Sequence, residues 1–244
     1  MHTSFFEIKT NENIAKNTYR MTLSGDTSGI TAPGQFINIK LEGLYLRRPM
    51  SVCDYAPNSL TVIYKVIGKG TEMLSAMKSG AVLDTLTGLG NGFDIKNSGD
   101  SPVLIGGGCG VPPLFHLAKK LREKGVKKIT AILGFDTKDS VFYEEEFKSI
   151  CDEVYVTTND GSYGTKGFVT DVLKDLSYSY FYTCGPEPML KAIYNVSSTS
   201  GELSFEERMG CGFGACMGCS CETKYGKKRI CKDGPVLKKE EIIW

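Results

Sequence analysis

Four cysteines fall within eleven residues in the stretch CGFGACMGCSC, residues 211–221. A chain that concentrates thiols this way needs either a disulfide framework, a metal centre or a redox group. The start, MHTSFFEIKT, lacks the cationic region and apolar core of a signal peptide, so a reducing, cytoplasmic setting is expected. Nine cysteines is also an odd number. A disulfide framework is therefore not expected, and the clustered thiols read as metal ligands or redox groups.

Spacing narrows the choice. Cys211, Cys216 and Cys219 stand as C-x4-C-x2-C, and Cys231 follows alone after a polar, basic stretch. Structural zinc usually takes two short knuckles, each closing its own turn. Three ligands from one continuous loop and a fourth from further on is the plant-type [2Fe–2S] arrangement. Gly210, Gly212, Gly214 and Gly218 suit a loop that must adopt positive φ and aim its N–H groups at sulfur. Cys221 is a fifth thiol beside this set, and the x2 spacing makes it a bystander to Cys219.

Composition sets the surroundings of that loop. The chain has 244 residues, enough for two ordinary domains. Hydrophobic content of 41% and charged content of 23% are those of a soluble globular protein. A formal net charge of +1 argues against nucleic-acid or membrane-surface binding, which draws on a clear basic excess. No apolar run approaches the roughly 20 residues that a membrane span needs.

Residues 5–95 read as short β-branched or alternating runs parted by Gly, Pro, Asn and Asp: SFFEIKTNENI, TYRMTLSG, GQFINIKL, RRPMSVCDY, LTVIYKVIG and AVLDTLTGLGNGFDI. Strands at such intervals predict a small antiparallel barrel or sandwich. Only residues 70–80 read as a helix, with Thr71 as N-cap and Gly80 as its stop. The polar NSGDSP at 97–102 marks a domain boundary. Beyond it, VLIGGGCGVPPLFHLAKKLREKG runs from strand through glycine loop into a helix, with Pro112 and Pro113 in its first turn and Gly125 at its end. KKITAILGF, EVYVTT and YFYTCG read as further strands, and FVTDVLKDL and EPMLKAIYNV as helices. That alternation predicts a parallel sheet wound with helices.

The loop from Gly106 to Gly110 is the candidate nucleotide site: Gly106, Gly107, Gly108 and Gly110 let backbone approach a pyrophosphate before a helix N-terminus. The match to GxGxxG is imperfect, and a tight strand–helix turn is the alternative reading. Asp136, after the second predicted strand, is placed to bond a ribose 2′-hydroxyl and repel a 2′-phosphate. CGPEPM, residues 184–189, again sets Cys and Gly at a strand end before a helix.

The ordered motifs RPMS, GKGT, GGGCGVPP and CGPEPM resemble the ferredoxin–NADP reductase superfamily, in which a flavin barrel precedes a nicotinamide domain. With the terminal cysteine region ending ICKDGPVL, the whole chain resembles more closely the electron-transfer subunits of class 1B dihydroorotate dehydrogenase. The resemblance implies an FAD-binding barrel at residues 1–98, an NAD-binding α/β domain at 99–203 and a [2Fe–2S] region at 204–244. It implies that Arg48, Pro49, Met50 and Ser51 hold FAD, that Ile63, Tyr64 and Lys65 line the flavin, and that Gly70 and Thr71 meet its pyrophosphate. It places Cys184 beside the nicotinamide and flavin rings. Many reductases of the superfamily have tyrosine where Met50 stands, so aromatic stacking from this position is not expected here.

Other conspicuous residues have plainer readings. His116 lies on a helix face among Leu114, Leu117 and Leu121 and reads as packing. Lys227–Lys228–Arg229 reads as a solvated turn, and Glu144–Glu146 as flanking a short helix. No Ser/His/Asp or paired-acid constellation appears, and cofactor-borne redox chemistry needs none. A nicotinamide exchanges two electrons as hydride and a cluster exchanges one, so FAD, which does both, belongs between them. The resemblance implies an FMN-containing partner subunit that oxidises dihydroorotate, two of each chain in a heterotetramer, and electron flow through the cluster and FAD to NAD⁺. The alternatives are the small subunit of a cytosolic NAD(P)H-dependent ferredoxin or sulfide oxidoreductase, and a zinc-stabilised adaptor without flavin.

Overall fold

The computed structural model describes residues 1–244. Its N-terminal part is a closed six-stranded barrel of β1 (His2–Ala15), β2 (Thr18–Ser24), β3 (Phe36–Ile39), β4 (Arg48–Ala56), β5 (Ser59–Lys65) and β6 (Val82–Leu89). The order round the barrel is β1-β2-β5-β4-β3-β6, all pairs antiparallel. Closure leaves no free sheet edge. Period-two alternation fills the interior: Phe6, Ile8, Met21, Leu23, Ile37, Ile39, Leu60 and Val62 are fully buried there. Each such side chain contributes roughly 2 kcal/mol of apolar burial.

One short helix, α1 (Lys69–Ala76), crosses between β5 and β6. It begins a residue earlier and stops four residues sooner than the sequence suggests, because Met77 is already extended. Thr71 lies inside the first turn instead of at the cap. Its Oγ1 accepts from the backbone N–H groups of Ile67 at 3.0 Å and Gly68 at 3.2 Å and donates to the Gly68 carbonyl at 2.9 Å. The threonine therefore closes the GKGT turn from within.

After a 3-10 turn at Ile95–Asn97 the chain enters a sheet made of β7 (Val103–Gly107), β8 (Thr130–Phe135), β9 (Glu153–Thr158), β10 (Thr165–Lys166), β11 (Phe181–Cys184) and β12 (Gly201–Ser204). These pair in parallel, as strand–helix alternation demands. The intervening helices are α2 (Pro112–Glu123), α3 (Glu144–Lys148), α4 (Val169–Leu173) and α5 (Glu187–Val196). Pro112 and Pro113 do open α2, where their missing N–H groups go unneeded.

The C-terminal region forms a hairpin of β13 (Ser220–Thr223) and β14 (Gly226–Arg229) and then β15 (Val236–Lys238). β15 adds antiparallel to β12, so the wound sheet runs β10-β9-β8-β7-β11-β12-β15. Lys227–Lys228–Arg229, expected in a turn, lie on β14 instead. Their charges are met by Glu222, Glu241 and Asp233.

Barrel and sheet meet through α2 and β4. His116 is buried, its Nδ1 lies 2.7 Å from Asp54 Oδ1, and its ring stacks on Tyr55 at 4.2 Å between centroids. Lys119 Nζ donates to both Asp54 oxygens. Burial opposes ionisation of Asp54, but His116 and Lys119 outweigh it and hold the carboxyl below its usual range. His116 is thus a packing residue, as its helix face suggests, and also the pin of the interdomain contact.

Candidate functional site

A cavity of about 1060 Å³ lies where the barrel faces the wound sheet. That is the upper end of small-molecule sites and sufficient for dinucleotide-sized ligands. Its barrel half is built by β4, β5 and α1. Arg48, Pro49, Met50 and Ser51 come from one strand, Ile63, Tyr64 and Lys65 from its neighbour, and Gly70 and Thr71 from the helix start. Gly70 explains its own identity: a Cβ there would stand 2.3 Å from Arg48 Nε. Glycine lets the guanidinium lie along the helix N-terminus, and Arg48 Nη1 also donates to the Leu46 carbonyl. Tyr64 donates to Asn11 Oδ1 at 2.9 Å, which fixes the ring on the cavity wall.

The other half is made by the carboxyl ends of the parallel strands, where such sheets hold ligands. Gly107 at the end of β7 and Gly108 just after it, Asp136 after β8 and Cys184 at the end of β11 all line it. Gly106 and Gly110, expected beside them, do not. A Cβ on Gly106 would meet Val111 Cα at 2.8 Å, and one on Gly110 would meet the Cys184 carbonyl oxygen at 2.1 Å. These two glycines let the loop pack against the sheet. They are the tight strand–helix turn left open as the alternative reading, and only the middle of the loop faces the cavity.

Several wall residues carry no motif. Cys109 sits within the glycine loop, Asn159 donates from Nδ2 to Asp136 Oδ1 at 3.1 Å, and Phe168 stands at the start of α4. Glu206 follows β12 and lines the cavity. Burial pushes the Cys184 thiol up to about 12, with the Glu206 charge adding to the effect. Only the strand ends could have pointed to these positions, since their residue types are ordinary.

Behind the cavity lie the four spaced cysteines. They fall in two neighbouring pairs, Cys211 with Cys216 and Cys219 with Cys231, each joined by a backbone N–H to sulfur. The backbone N–H groups of Ala215 and Cys216 donate to Cys211 Sγ at 3.2 and 3.4 Å, and that of Cys231 to Cys219 Sγ at 3.4 Å. Burial raises the Cys211 thiol, but these N–H donors, that of Phe213 and the Cys216 thiol outweigh it and bring it down to about 6. A thiol so readily ionised, paired with a second, is suited to iron, and two pairs match two irons with two thiolates each. Gly212 at φ +77° and Gly214 at φ +93° take the left-handed turns the loop needs. Cys221 stands apart on β13, opposite Lys228, and lines a smaller cavity of about 210 Å³ with Ile242 and Trp244.

The two sites touch through β3. Its residues alternate: Ile37 and Ile39 point into the barrel, while Phe36 joins the apolar cluster that contains Cys219 and Cys231. Phe36 also lines the large cavity, as does Pro235 four residues beyond Cys231.

An antiparallel barrel and a wound parallel sheet sharing one cavity, with paired thiols behind it, define a ferredoxin-reductase-type electron carrier with an iron–sulfur extension. Comparison with known proteins agrees. Residues 104–195 match the oxidoreductase NAD-binding domain, and residues 206–243 match the iron-sulfur cluster binding domain of dihydroorotate dehydrogenase B. A chain of the NADH-dependent reduced ferredoxin-NADP oxidoreductase structure superposes with a TM-score of 0.87 at 33% identity, over 98% of this chain and 90% of that one. The ferredoxin NADP⁺ reductase of Neisseria gonorrhoeae, with bound FAD and NADP, shares the fold at a TM-score of 0.70 and 16% identity over 80% and 91%. The dihydroorotate dehydrogenase B (NAD(+)) electron transfer subunits of Fusobacterium nucleatum and Geobacillus sp. are 44% and 48% identical to this chain, over 96% and 94% of both sequences. The chain belongs to that family of electron transfer subunits.

Proposed function

We propose that this chain takes electrons from a dihydroorotate-oxidising partner subunit and passes them to NAD⁺. The observation that carries this reading is Phe36, which belongs at once to the wall of the dinucleotide-sized cavity and to the apolar packing round Cys219 and Cys231. FAD, a [2Fe–2S] cluster and NAD are the redox groups: FAD exchanges hydride with the nicotinamide and single electrons with the cluster.

The side chains bind and insulate. Arg48 and Lys65 provide fixed positive charge for phosphate in the barrel half, and Ser51 a hydroxyl beside them. Thr71 ties the turn that presents the α1 N-terminus, and Gly70 gives Arg48 its room. Gly107 and Gly108 leave backbone bare for the nicotinamide nucleotide, and Asp136 faces its adenosine ribose. Cys184, neutral because it is buried, shapes the wall between the two nucleotides without placing a competing charge there. Cys211, Cys216, Cys219 and Cys231 would hold the cluster, two thiolates to each iron.

The partner carries FMN, two of each chain form the complex, and the assembly works in the cytoplasm. No helix is long and apolar enough to cross a membrane. Co-expression with the partner, followed by flavin chromatography and iron and acid-labile sulfide analysis, should give FAD and FMN in equal amounts and two irons per chain. The complex should reduce NAD⁺ with dihydroorotate. The likeness to the NADH-dependent reduced ferredoxin-NADP oxidoreductase structure favours one second reading, exchange with ferredoxin. Turnover with reduced ferredoxin and none with dihydroorotate would select it.

A further inference from the structure

The outer face of β3 carries a polar residue that the barrel does not need. Because Ile37 and Ile39 fill the interior, Asn38 between them points outward, yet it is only 1% exposed. Its Nδ2 donates to the Cys211 backbone carbonyl at 3.4 Å, across 173 residues of chain. Its Oδ1 is buried without a partner. Exchanging the two ends of the amide would set oxygen against oxygen, so this orientation is the favoured one. The contact is close: a Cβ on Gly212 would lie 2.3 Å from Asn38 Nδ2. A buried amide with one end unpaired lowers stability, and leucine could occupy an outward-facing, covered position without that penalty.

We infer that Asn38 is a positioning residue for the iron–sulfur loop, fixing the Cys211–Gly212 peptide so that the loop's N–H groups stay aimed at the Cys211 sulfur. In a trans peptide the C=O and N–H point in opposite directions. Holding the Cys211 carbonyl toward the barrel therefore turns the Gly212 N–H away from it. The chain then proceeds through Gly212 and Gly214, both left-handed, to the Ala215 and Cys216 donors on Cys211 Sγ. Hydrogen bonds to cluster sulfurs help set reduction potential. Asn38 would so let the flavin barrel tune a centre bound at the other end of the chain. The inference rests on the cluster reading of the four cysteines.

The test is Asn38→Leu, with Asn38→Ser as a second variant, each purified in complex with the catalytic partner. Asn38 does not line the large cavity, so FAD content and its reduction by NADH should match the unaltered protein. The reduced-state EPR signal should change shape. The cluster should also become harder to reduce, with its reduced-to-oxidised ratio at a fixed potential falling about threefold, where tenfold corresponds to 59 mV. EPR spectra and redox titrations superimposable on the unaltered complex, at full iron and sulfide content, would overturn the proposal. So would parallel loss of FAD and cluster in both variants, which marks a purely structural role. Zinc without sulfide in the unaltered protein would instead remove the cluster reading itself.

Discussion

Cys219 and Cys221 are two residues apart and chemically alike, yet they occupy different environments. Cys219 is buried against Cys231, whereas Cys221 leaves the loop on β13 and lines a separate small cavity. Cys219→Ser should lose most of the iron and sulfide and its EPR signal while keeping FAD. Cys221→Ser should keep all three. The reverse pattern would assign the ligand to Cys221, and two unaffected variants would remove the plant-type reading altogether. At the same scale we propose that Asp136 sets coenzyme preference. It stands just after β8 with Asn159 donating to it, where a carboxylate would oppose a ribose phosphate. Asp136→Asn should narrow the preference for NADH over NADPH roughly tenfold in kcat/KM, measured with an artificial acceptor. An unaltered enzyme that already uses NADPH as well as NADH would refute the role.

Helix α1 does its work through a side chain it lacks. Alanine at position 70 suits a helix better than glycine by about 1 kcal/mol, but its methyl group would displace Arg48. Gly70→Ala should fold normally and release FAD on dialysis, with affinity about tenfold weaker, a loss of about 1.4 kcal/mol. Full flavin retention would show that Arg48 has space to move. The contrast explains what could be read from residue order. Barrel strands, wound sheet and thiol spacing follow from periodicity and composition, which act locally. The packing duties of Gly106 and Gly110 depend on Val111 and on a strand end more than seventy residues away, so the same motif reads equally well as a phosphate loop. Asn38 depends on a loop 173 residues away. Neither has a local signature, whereas the acids that answer Lys227 and Arg229 are close neighbours in sequence.

At the scale of the molecule, Glu202 on β12 links sheet to barrel. Its Oε2 accepts from the Asp94 N–H at 2.9 Å where the chain leaves the barrel, and Tyr180 lies 3.5 Å from its Oε1. Tyr182 donates to the Asp94 carbonyl beside it. Burial is the main cause, ahead of the Asp94 hydrogen bond that opposes it, of a carboxyl raised from 4.5 to about 7. Between those values the folded chain keeps a proton that the unfolded chain has released. This contribution to stability is therefore complete at low pH and lost as pH rises through about 7. Glu202→Gln should raise Tm by a few degrees near pH 8 and change it little near pH 4. A shift of equal size at both would remove the titration from the explanation. The strand β3, finally, ties the fate of the iron-binding loop to that of the barrel. It belongs to a barrel that closes through β1 and β6, and the same strand packs Phe36 beside Cys219 and Cys231 and meets the Cys211 carbonyl through Asn38. A substitution that opens the barrel should therefore also loosen the thiol loop, although 173 residues of chain separate the two partners of that contact.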